Sequence, residues 1–94
     1  MENEFKNGDV GFGGGSGDSL TNAVVIKTKN HFDGVSAEKV FISRQFGREG
    51  SDWFFDSQKL LFVDGKAFDL ITFSLANGSM KQIYFDISEF FGKF

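Results

Sequence analysis

A chain of 94 residues holds one modest hydrophobic core, and with no cysteine and a single histidine that core has neither disulfides nor a thiolate metal centre to brace it. A net charge of -3 and a pI near 5.0 argue against nucleic acid as a partner, because phosphate binding needs a basic face that displaces counterions. The opening residues Met1 to Lys6 show neither a basic n-region nor an apolar h-region, and no run of about 18 apolar residues follows, so the sequence points to a cytoplasmic domain away from membranes.

Stability therefore rests on packing, and the 14 phenylalanines supply it: each ring buries a large apolar area with few rotatable bonds. Half of the 12 glycines crowd into the segment from Gly8 to Gly17, where ordering the backbone costs more entropy than one Val and one Phe return. Residues 1–19 are accordingly expected to be flexible, and residues 20–94 to form the domain. Ala23 to Lys29 is short and β-branched and predicts a first strand. Beyond Asp33-Gly34, Ser36 is placed to cap a helix carrying Ala37, Val40, Phe41 and Arg44 on one stripe, with Gly47 to end it.

Trp53 to Val63 predicts a second strand, interrupted near Ser57-Gln58, and Asp64-Gly65 a tight hairpin turn. Lys66 to Leu75 and Met80 to Ile87 follow as strands joined at Asn77-Gly78. A strict two-residue loop there would split the strongest apolar sets between the two faces. A bulged loop one residue longer instead puts Ile71, Phe73 and Leu75 beside Ile83, Phe85 and Ile87. The expected fold is α+β: a strand, a short helix and a three-stranded antiparallel meander, with the helix on the face of Ile71 and Phe73. Ser88 is placed to start a last helical turn that returns Phe90 or Phe91 to the sheet.

Sites are sparse. Gly17-Asp18-Ser19-Leu20 resembles the nucleophile block of the GDSL esterases, a resemblance that implies a later Asp-x-x-His pair and a chain roughly twice this length. His31 has Thr28 where that Asp belongs, so no serine nucleophile with its base is assembled. The glycine tract also lacks the lysine and spacing of the phosphate loops. His31 with Asp33 forms a candidate polar site, joined by Asp69, which the bulged register projects onto the apolar face. If buried there, Asp69 becomes the leading candidate for a functional carboxylate. The second sheet face (Phe68, Leu70, Tyr84), with Trp53 and the C-terminal Phe90, Phe91 and Phe94, holds more apolar surface than one helix covers. The composition thus favours a non-catalytic, cofactor-free binding or regulatory module that engages a protein or its own copy. The alternative is a small-ligand pocket between helix and sheet, lined by Trp53 and Tyr84.

Overall fold

In the computed structural model, residues 10–28 and 31–92 are described; residues 1–9, 29–30 and 93–94, and the side chains of residues 31, 32, 33 and 35, lie outside that description. The chain forms β1 (Gly11–Gly14), a 3-10 turn (Leu20–Asn22), β2 (Val24–Lys27), the helix α1 (His31–Phe46), and then β3 (Trp53–Val63), β4 (Lys66–Leu75) and β5 (Met80–Asp86). One mixed sheet runs in the order β1-β2-β5-β4-β3, so α1 carries the chain from one side of the sheet to its far edge. The class is α+β, and no described helix is long and apolar enough to cross a membrane.

The meander follows from its turns. Asp64 and Gly65 both take positive φ, 51° and 78°, and close the β3–β4 hairpin in two residues. At the other loop Gly78 takes φ 92°, and Leu75 and Ser79 bond across three residues. That bulged loop sets Ile71 opposite Ile83 and Asp69 opposite Phe85, the register that gathers the apolar sets on one face. β3 slips by one residue between Phe55 and Ser57, the interruption expected at its middle. The helix packs on the predicted face: Phe41 meets Phe85 edge-on, and Phe46 meets Phe73.

Two elements depart from expectation. The glycine tract, expected to be flexible, pairs with β2 through Gly11–Gly14, and Tyr84 donates its N–H to the Gly17 carbonyl at 2.8 Å. Composition misses this because the segment joins mainly through its backbone, with Val10 and Phe12 alone among its described residues reaching the core, and because Gly14 and Gly17 take positive φ where a Cβ would meet neighbouring atoms. A Cβ on Gly17 would sit 2.5 Å from an Ile83 methyl. The helix starts at His31, five residues before the proposed Ser36 cap, and the buried stripe of its described side chains is Gly34, Ala37, Glu38 and Ile42. Gly34 sits there by close approach, for a side chain would run into the Phe90 ring. At its other end Gly47, φ 108°, stops the helix, and its carbonyl accepts from Trp53 Nε1 at 3.0 Å.

Candidate functional site

Asp69 is buried, 4% exposed, on the helix face of β4. Across it, at the centre of the helix stripe, lies Glu38, 2% exposed, and the two carboxyl groups are hydrogen-bonded to each other. Two anions cannot share so dry a place, so one carboxyl keeps its proton. Burial first, and then the bond and repulsion from Asp69, push the Glu38 carboxyl up from 4.5 to about 10. Its O–H donates to Asp69, while Oε2 is buried without a hydrogen-bond partner. Leu60 and Phe85 flank Asp69 as its cross-strand neighbours, so the pair sits in an apolar row.

Chemically the pair can store one proton. It is enclosed, and nothing about it resembles an open catalytic carboxyl dyad. Sequence reasoning named Asp69 from its register but missed Glu38. A mid-helix glutamate reads as a solvated residue, and the signal that exposes it is the stripe 34, 37, 38, 42 once the helix start is known.

The second feature is the edge. β3 is 11 residues long, pairs among the described residues with β4 alone apart from one bridge from Trp53 to Glu49, and carries Phe54, Phe55, Leu60, Phe62 and Val63 exposed. The hairpin closes on the pair Val63–Lys66, and antiparallel alternation from that hydrogen-bonded pair turns the backbone N–H and C=O groups of Phe62, Leu60 and Gln58 to the open side. Phe62, 64% exposed, stands against Phe91 with ring centroids 5.4 Å apart. Only Asp56 and Lys59 are charged along the strand, and the bulge at Asp56 leaves Ser57 to Val63 as an unbroken run. Lysines, prolines and bulges are the usual guards of an edge, and this stretch holds one lysine.

The proposed aromatic surface is therefore relocated. Trp53, Phe68 and Phe90, expected at a binding surface, are core residues: Trp53 packs edge-on against Phe73, and Phe90 lies beneath Gly34. Leu70 and Tyr84 are half-buried on the second face, and Phe91 is exposed. Phe94 and the side chains of His31 and Asp33 lie outside the described residues. The second face is partly roofed by the glycine loop and the 3-10 turn. A cleft of about 390 Å³ remains between them and the sheet, lined by Leu20, Asn22, Val25, Phe68, Lys66 and Asp86 among others. Lys66 and Asp86 approach to 3.9 Å at this cleft, and Asp86 also accepts from the Ser88 N–H at 3.0 Å.

Compared with protein-family models, with curated proteins and with solved structures, the chain finds no match.

Proposed function

We propose that this domain is a non-catalytic protein-binding module that receives a strand of its partner, a second copy of itself included, along the open edge of β3. The observation that carries the reading is the edge: a long strand on which Leu60 and Phe62 turn their backbone groups to the open side and keep their side chains exposed. Main-chain hydrogen bonds to an added strand give such a site affinity, and the side chains on alternate positions give it selectivity. The reading needs no cofactor and no catalytic group.

Site-specific photo-crosslinking in the source cell tests it, with the crosslinker at Phe62 and, as a control, at Gln45, an exposed helix residue. Discrete protein adducts, with another protein or with the chain itself, are expected from position 62 and absent from position 45. Equal labelling from both, or none from position 62, refutes the reading.

One observation favours a second reading. The cleft under the 3-10 turn has an apolar floor of Val25 and Phe68 beside the Lys66–Asp86 pair, a combination suited to a small ligand with a flat apolar part and one charged group. A fragment screen by NMR would find its shifts at Val25 and Phe68 on this reading. Shifts confined to β3 would favour the first.

A further inference from the structure

We propose that the Glu38–Asp69 pair is a proton-operated latch, in which one proton held between the two carboxyls keeps α1 seated on the sheet and its loss lifts the helix. The position is the first ground. Glu38 occupies the middle of the helix stripe, between Ala37 and Ile42, and Asp69 occupies the middle of β4, so the bond spans the helix–sheet interface at its centre. The stripe is also thin. Gly34 and Ala37 contribute little apolar area, so that among the described residues Ile42, with half-buried Phe41 and Phe46, holds the helix beside this bond.

No cation among the described residues offsets a second charge. Among the described residues, the charged groups of α1 point elsewhere: Lys39 pairs with Glu49 at 3.2 Å and lies over Phe55, and Arg44 lies over Phe12. On the sheet, Lys59, Lys66 and Asp86 project from the opposite face. Lys81 shares the helix face, but at the exposed loop end of β5. β2 and β1 send Val24, Ile26 and Phe12 to the helix side, and the C-terminal turn sends Phe90. Removing the proton, which passes to hydroxide to give water, leaves two facing carboxylates in an apolar enclosure with Glu38 Oε2 already unpartnered. Moving the helix outward lets water reach both.

The direction with pH follows. Glu38 binds its proton to about pH 10 in the closed form and only to 4.5 when freed. Closure is therefore fully favoured below pH 4.5 and is lost progressively as pH rises toward 10, by tenfold in the opening constant for each pH unit. The chain has one histidine and no cysteine, so the range from pH 7 to 9 is nearly free of other side-chain titrations.

Amide hydrogen exchange of the full chain, corrected for the intrinsic pH dependence of exchange, reads the latch. In the wild type the opening constant of α1 amides is expected to rise about tenfold per unit between pH 7 and 9 while β4 amides change less. In Glu38→Gln the α1 dependence should be flat. A wild-type slope retained in E38Q, a flat wild type, or α1 and β4 amides opening with one common slope would each overturn the latch. Should E38Q fail to fold, Glu38→Met, of similar length and without a titrating group, carries the same expectation.

Discussion

Replacing Glu38 by Gln is expected to stabilise the protein, although it removes a buried side chain's native chemistry. In water a glutamate is ionised at pH 7, whereas in the fold Glu38 is neutral, with its proton held to about pH 10. Since pH 7 lies about 2.5 units above the ordinary value of 4.5 and each unit is about 1.4 kcal/mol, keeping this carboxyl protonated costs the fold about 3 kcal/mol. Glutamine has the same shape, carries no charge at any pH, and its amide N–H still donates to Asp69. The bond is weaker than one from a carboxylic acid, by about 1 kcal/mol. The net gain at pH 7 is therefore about 2 kcal/mol, which for an m-value of about 1 to 3 kcal/mol/M moves the urea midpoint up by roughly 1 to 2 M. The gain should shrink as pH falls, vanish a little above pH 5, where the cost of protonation matches the weaker bond, and become a small loss at pH 4.5. Urea titrations of both proteins at pH 4.5, 6, 7 and 8 check this. An E38Q midpoint at or below wild type at pH 7, or a gain that does not change with pH, refutes the reasoning.

Phe12→Ala tests whether the glycine tract is part of the fold. Its half-buried ring contacts Phe41 at 5.4 Å, so a loss of about 2 kcal/mol is expected by urea titration, where a loose tail would give none. Gly34→Ala would ordinarily strengthen a helix by about 1 kcal/mol. Here the Phe90 ring occupies the space, and a net destabilisation of about 1 to 3 kcal/mol is expected in thermal unfolding. Phe62→Lys adds a charge at the most exposed apolar site of the edge. Its stability should stay within about 0.5 kcal/mol of wild type, while sedimentation or crosslinking shows any association through β3 lost.

The meander was legible because each of its decisions is local. Asp64-Gly65 and Asn77-Gly78 tolerate positive φ, and the requirement that Ile71, Phe73 and Phe85 share a face selects the bulged loop. The glycine tract was not legible, because its role depends on partners far along the chain, the β2 backbone and the Tyr84 N–H. Trp53, Phe68 and Phe90, which the sequence places on a surface, lie inside for a related reason. Counting rings shows that some must be exposed, but which ones is decided by sheet order. Once β3 is the edge, Phe62 faces water, and Trp53 is carried inward at the strand's start, where its indole bonds the end of the helix. Asp69 could be found from register alone. Glu38 needed the helix start, and a cap at Ser36 places that six residues late.

The two features share one row of the sheet. Leu60 on the open edge is the direct cross-strand neighbour of Asp69, and Phe85 stands on its other side. A strand added along β3 would cover Leu60 and remove water from the side of Asp69 nearest the edge, deepening the burial that already favours the protonated pair. Coupling of this kind is reciprocal: if an added strand tightens the hold on the proton, then the proton tightens the hold on the strand by the same factor. The helix contributes in the same sense, because Lys39 lies over Phe55, and a helix lifted from the sheet would leave that part of the edge without its cover. The proposed binding at β3 and the proposed closure of α1 thus draw on one apolar row, and proton uptake is the quantity that would link them.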